Sequence, residues 1–283
     1  LALATLVGCR TTPHEHASIE QGVVAATDGV PIAYDVRGAG ESAVVLVHGL
    51  GCDRALWRWT AEELAPDHRV VCMDLAGHGD SGAKERKTWD IATLGADVQT
   101  LVESLGLEHV VLVGHSISGP VCLDAARRMK GRVVAVVGVD TLHNAEAHIP
   151  PQQAQSMAAS FEADREKAFR TMLPQMLGPG ADPATVDWII AQARKSNDVA
   201  TAALFRSLLA ADVGALLRGA GVRVRCVNAK PGAAPSTMPT DVATNRKYAD
   251  FDAVLIDGVG HYPMIERPLT FSARLREVLA SLR

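Results

Sequence analysis

Residues 110–119 read VVLVGHSISG. Val110–Val113 is a short apolar run rich in β-branched residues, which suits a strand buried on both faces. From Ile117 to Met129 the apolar positions take helical spacing. A strand that passes at once into a helix has to turn sharply, and Gly114 and Gly119 keep the two backbones clear of each other. Ser116 then stands at the apex. Its hydroxyl rises above the carboxyl edge of the sheet, where open parallel sheets take their ligands. The helix that starts here offers free N–H groups and a positive end to a developing negative charge. One local geometry thus supplies a nucleophile and half an oxyanion site. The competing reading makes Ser116 a plain helix N-cap, a common position for serine.

Apolar runs separated by turn signals recur on both sides of this stretch. Val23–Ala26 and Ile32–Val36 flank Thr-Asp-Gly and predict a hairpin. Ala43–Val47, Val70–Met73 and Val133–Val139 read as strands, while Arg54–Ala65 and Ile91–Leu105 have helical spacing. Gly106 follows as a C-cap would. The alternation resumes with a strand over Val222–Val227, a helix over Thr240–Ala249, a strand over Val254–Ile256 and a last helix over Pro268–Leu282. Strand–helix alternation is the signature of a mostly parallel sheet flanked by helices, an α/β fold. Between Leu142 and Asp212 no strand pattern occurs. Pro150-Pro151, Gly178-Pro179-Gly180 and Pro183 punctuate three or four helices there. A helical block between two strands of a sheet predicts a cap or lid; a larger single core is the plainer alternative.

The chain has 283 residues, 48% of them hydrophobic, and a net charge of −4 with both signs scattered. That length allows one large domain or two small ones. No basic stripe suggests a nucleic-acid surface, so a small neutral substrate is expected. Cysteines at 9, 52, 72, 122 and 226 form no CxxC pair, which leaves zinc and thioredoxin-like readings without support. Cys72 and Cys226 read as small buried hydrophobes, and Cys52 stands where it could line a pocket. No metal site and no cofactor motif is found. Gly77–Gly82 lacks the P-loop pattern and the context of a dinucleotide site.

The opening LALATLVGCR does not begin with Met and reads as truncated. Leu6-Val7-Gly8-Cys9 resembles a bacterial lipobox, in which Cys9 is lipidated, although the charged segment that should precede it is missing. The expectation is a lipoprotein-type signal and linker over residues 1–21. Acyl chains on Cys9 would then anchor the protein to a membrane of the bacterial cell envelope; without them a cytoplasmic location is expected. His14 and His16 belong to that linker. The core is expected over 22–141 and 212–283, with the helical cap over 142–211. Oligomeric state is open.

Three further motifs carry chemistry. Val44–Val47 ends in His48-Gly49-Leu50-Gly51, a loop whose backbone N–H, that of Leu50, can turn toward the space above Ser116. Cys72–Leu75 leads into Ala76-Gly77-His78-Gly79-Asp80-Ser81-Gly82. Asp257-Gly258-Val259-Gly260-His261 puts a histidine on a loop just after a strand. HGLG, DLAGHGDSG, GHSISG and GVGHYPMIERP, in this order, resemble the α/β-hydrolase fold family over roughly residues 22–283. The resemblance implies Ser116 as nucleophile, His261 as general base and then acid, and the N–H groups of Leu50 and Ile117 as the oxyanion hole. A serine hydroxyl needs such a base beside it, and histidine can take and return that proton near pH 7. His48, His78 and His115 read as structural.

The acid is less plain. Relatives often place it just after the strand Val222–Val227, but Asn228 to Pro239 holds no Asp or Glu. Asp140, at the end of Val133–Val139, is the leading substitute. Asp241 is the alternative acid, with a helix-start charge as its plainer role. A Ser–His dyad, or Asp257, also stays open. Ser118 departs from the commoner glycine at that place, where small size is the requirement. The expected activity is cleavage of carboxylic esters of a small, largely apolar substrate through an acyl-enzyme. Serine at the apex argues against the haloalkane dehalogenases and epoxide hydrolases of this fold, which use Asp. Lactonase, thioesterase and carbon–carbon bond hydrolase chemistry need the same residues, and a ligand-binding receptor on this scaffold is the rival of another class. Trp57, Trp59, Phe161, Phe169, Trp188 and Phe205 are candidates to line the pocket.

Overall fold

In the computed structural model, which describes residues 18–40, 42–83 and 86–282, eight strands form one sheet. They are β1 (Glu20–Ala25), β2 (Pro31–Arg37), β3 (Ala43–Val47), β4 (Arg69–Met73), β5 (Val110–His115), β6 (Val133–Val139), β7 (Arg223–Ala229) and β8 (Phe251–Ile256). Their order is β1-β2-β4-β3-β5-β6-β7-β8. The β1–β2 and β2–β4 pairings are antiparallel, and every other pairing is parallel. Eleven helices accompany these strands among the described residues: α1 (Arg58–Leu64), α2 (Ile91–Ser104), α3 (Ser118–Arg128), α4 (Pro151–Ala163), α5 (Arg165–Met176), α6 (Ala184–Ala193), α7 (Asp198–Leu209), α8 (Val213–Ala220), α9 (Val242–Asn245), α10 (Pro263–Glu266) and α11 (Pro268–Ser281).

The continuous apolar strands are explained by what covers them. Val45 and Val47 of β3 face a core shared with α2, α3 and α8, while Val44 and Leu46 face a second core shared with α1 and α11. β5 divides in the same way, Val110 and Leu112 to one side and Val111 and Val113 to the other. Side chains alternate across a strand, so a strand covered on both faces has to be apolar at every position.

Three of the boundaries that differ from the expected ones have a local cause. The segment from Arg54 opens as a 3₁₀ turn over Arg54–Trp57, capped by the Asp53 carboxylate, before α1 begins. The helix expected over Thr240–Ala249 is cut to α9. The N–H groups of Lys247 and Tyr248 bond only three residues back, which tightens the chain into turns ahead of β8. β8 itself starts three residues earlier than its apolar run, because Phe251 and Asp252 pair with Val224 and Arg225. Between β6 and β7 the chain forms α4 to α8 and, among the described residues, no strand. Asp164 separates α4 from α5 and caps the latter by accepting the Lys167 N–H at 2.9 Å. Cys9, His14 and His16 lie outside the described residues. Among the described residues no single helix is long and apolar enough to cross a membrane.

Candidate active site

The turn between β5 and α3 places Ser116 at φ +56°, in the left-handed region. Its N–H donates to Val139 O at 3.1 Å, which anchors the turn to β6. A Cβ on Gly114 would overlap the Ser118 carbonyl, and one on Gly119 would overlap Thr141. The tight passage from strand to helix therefore depends on both glycines. Ile117 stands at the cap position of α3, so Ser116 does not act as its N-cap. Ser118 has more than small size to recommend it. It is fully buried, and its hydroxyl donates to the His48 carbonyl. That bond ties the start of α3 to the His48–Gly51 loop. Among the described residues the N–H groups of Leu50 and Ile117 have no backbone acceptor.

His261 lies between β8 and α10. Its Nδ1 is 2.6 Å from Asp140 Oδ2, and the other carboxylate oxygen accepts the Ala229 N–H at 2.9 Å. Asp140 is 5% exposed and sits at φ +43° just past β6. Burial alone would raise its pKa. The hydrogen bond and charge of His261, with His143 and the Ala229 N–H, instead hold it below the usual carboxylate range. An ionised carboxylate only accepts, so Nδ1 of His261 carries the hydrogen and Nε2 is left for other work. Asp241 and Asp257 are placed elsewhere. Asp241 caps α9 through the Thr244 N–H at 2.9 Å, and Asp257 pairs with Lys230 at 2.9 Å on the surface.

The loop that carries His261 is itself held. Glu266 accepts the N–H of Gly260 at 2.9 Å, of Tyr262 at 3.0 Å and of Gly178 at 2.7 Å. The His261 N–H donates to Met176 O at 2.6 Å. The histidine loop and the end of α5 are thus bonded to each other. Sequence reasoning missed Glu266, since a carboxylate that serves backbone N–H groups leaves no spacing signal.

His48, His78 and His115 are buried beneath this arrangement. His48 donates from Nδ1 to Gly49 O and accepts the Leu75 N–H at Nε2, joining the loops after β3 and β4. His115 donates to the His261 carbonyl at 2.8 Å. Burial pushes His48 down to about 4 and His78 and His115 down to about 3, so all three are neutral at pH 7.

Ser116, His261 and Asp140 open onto one cavity of about 1100 Å³, which Leu50 also lines. Of the aromatic candidates, Phe161, Phe169 and Phe205 line it; Trp57, Trp59 and Trp188 do not. Phe161 stacks on Phe205 with ring centroids 4.5 Å apart. Met172 and Met176 of α5 and Leu209 of α7 extend the apolar wall. Cys52 does not line the cavity; it is buried, and burial pushes its thiol pKa up. Among the described residues no cluster of three His, Cys, Asp or Glu side chains is placed to hold a metal.

An open, mostly parallel sheet with a serine on a strained strand-to-helix turn at its carboxyl edge defines the class of α/β hydrolases. Residues 42–181 match the family model of the alpha/beta hydrolase fold. An esterase from Thermogutta terrifontis, solved with malate bound, aligns at TM-score 0.78 and 22% identity over 93% of this chain and 99% of its own. An enol-lactonase from Burkholderia xenovorans aligns at TM-score 0.75 and 22% identity, over 92% of this chain and 100% of its own. A dihydrolipoyllysine-residue acetyltransferase component of the acetoin cleaving system, from Pseudomonas putida, is 34% identical over 153 residues, 54% of this chain and 39% of that relative. The chain spans less than half the length of the first curated relatives it matches. Family match over residues 42–181, topology and structural likeness agree: the chain has the alpha/beta hydrolase fold.

Proposed function

We propose that the protein is a serine hydrolase that cleaves carboxylic esters of a small, largely apolar substrate through an acyl-enzyme. The observation that carries this reading is the 2.6 Å bond from His261 to Asp140 at the rim of the cavity onto which Ser116 opens. Asp140 fixes the tautomer of His261 and stabilises the imidazolium that forms when the serine proton is taken. Ser116 then attacks the ester carbonyl. The N–H groups of Leu50 and Ile117 receive the negative charge on the tetrahedral oxygen. His261 returns the proton to the leaving alcohol, and water releases the acid by the same steps in reverse order. The cavity walls favour an apolar ligand, and about 1100 Å³ is room for a small ester as a whole.

The test is steady turnover of p-nitrophenyl esters from acetate to laurate, with lactone and thioester substrates alongside. Ser116→Ala is expected to abolish turnover, and Asp140→Asn to lower kcat on the order of 10³- to 10⁴-fold. Equal background rates in wild type and Ser116→Ala would count for a ligand receptor instead.

A further inference from the structure

The end of β7 carries Asn228. Its side chain is fully buried. The amide oxygen accepts the Thr141 N–H at 3.2 Å, and the amide nitrogen donates to Thr141 O at 3.0 Å and to Thr240 Oγ1 at 2.9 Å. Both backbone groups of the residue that follows Asp140 are therefore held by one side chain.

The segment so held is strained. Asp140 and Leu142 both lie in the left-handed region, at φ +43° and +53°. Such a conformation costs roughly 1–3 kcal/mol per residue and persists only where the surroundings over-determine it. The surroundings here are two buried amides. Asn245, the last residue of α9, donates to Leu142 O at 2.8 Å and accepts the Ala145 N–H at 2.7 Å. β7 adds the Val227 carbonyl, which accepts the Asp140 N–H at 3.2 Å. Without these bonds the chain after β6 would relax, and the Asp140 carboxylate would leave its position on His261.

We propose that Asn228 is a positioning residue for Asp140, its amide gripping both backbone groups of Thr141 so that the carboxylate stays on His261. The inference rests on the reading of Asp140 as the acid of the site. An amide of this length is required. Aspartate offers no hydrogen to Thr141 O, serine is too short to reach both groups, and leucine leaves the Thr141 N–H unsatisfied and its carbonyl with only the weak Cys226 thiol donor at 3.7 Å.

A double-mutant cycle tests it, with kcat and KM read on the best p-nitrophenyl ester. Asn228→Leu is expected to lower kcat about 10²-fold, as a misplacement of about 1 Å does, while KM changes less than about threefold. On the Asp140→Asn background the same substitution is expected to cost less than about threefold, because it acts through a carboxylate already removed. Asn228→Ser, which keeps the position polar but is too short to hold both Thr141 groups, carries the same cycle if Asn228→Leu does not fold. Equal fold-losses on both backgrounds would make Asn228 a merely structural residue and overturn the inference alone. Undiminished kcat in Asp140→Asn would remove the underlying reading, and this inference with it.

Discussion

Ser116 holds a backbone conformation that its own side chain disfavours. At φ +56° a residue with a Cβ is strained, and only glycine adopts this region freely. The Ser116 turn is maintained against that strain by the Val139 carbonyl and by Gly114 and Gly119, which let the chains close in. A measurable asymmetry follows. Ser116→Gly is expected to be more stable than Ser116→Ala by about 1 kcal/mol, with both inactive. Urea unfolding midpoints check it, and an alanine variant as stable as the glycine one would contradict strain at this residue. Ser118 and Asp140 show two degrees of legibility at the same scale. Ser118 was readable as a small residue, but its bond to the His48 carbonyl joins positions 70 residues apart, and no local pattern reveals that. Asp140 was readable because its strand ends beside the elbow strand, so topology alone brings it near.

At the scale of elements, the strands were the most legible part. A run such as Ala43–Val47 is apolar at every position because two cores need it, and that leaves a mark independent of distant residues. α9 was overestimated for the opposite reason. Its residues have adequate helical spacing, but Asn245 is taken up by the loop after β6, and the following residues turn toward β8. The His261 loop between β8 and α10 depends on the Glu266 carboxylate, which satisfies the N–H groups of Gly260, Tyr262 and Gly178 together. Glu266→Ala orphans these donors and is expected to lower stability by at least about 2 kcal/mol. Glu266→Gln keeps one acceptor oxygen and is expected to lose less. Chemical denaturation of the two variants against wild type checks the ranking, which a Gln variant as damaged as Ala would reverse.

For the molecule as a whole, three buried histidines make stability sensitive to acid. His48, His78 and His115 have folded-state pKa values of about 3 to 4, below an unfolded value of roughly 6.5. Between those limits the unfolded chain binds more protons than the folded one, so stability falls as pH falls. The contribution of the neutral rings is complete only above about pH 7 and is lost progressively down to about pH 3. Three protons set a slope of up to roughly 4 kcal/mol per pH unit. Unfolding by urea at pH 7 and at pH 5 should show a large drop in midpoint; identical midpoints would contradict the buried neutral state of these rings.

The bond from the His261 N–H to Met176 O, together with the grip of Glu266 on Gly178, bears on how far the helices between β6 and β7 form an interchangeable module. Such a block invites grafting, in which one set of helices is replaced by another to alter what the cavity admits. Here residues 176–178 belong to the block that would be replaced and also brace the histidine. A graft that exchanges the block whole also exchanges part of the machinery beneath it. A graft that spares those three residues, and α8 with its share of the core, leaves the histidine braced while it alters the cavity wall.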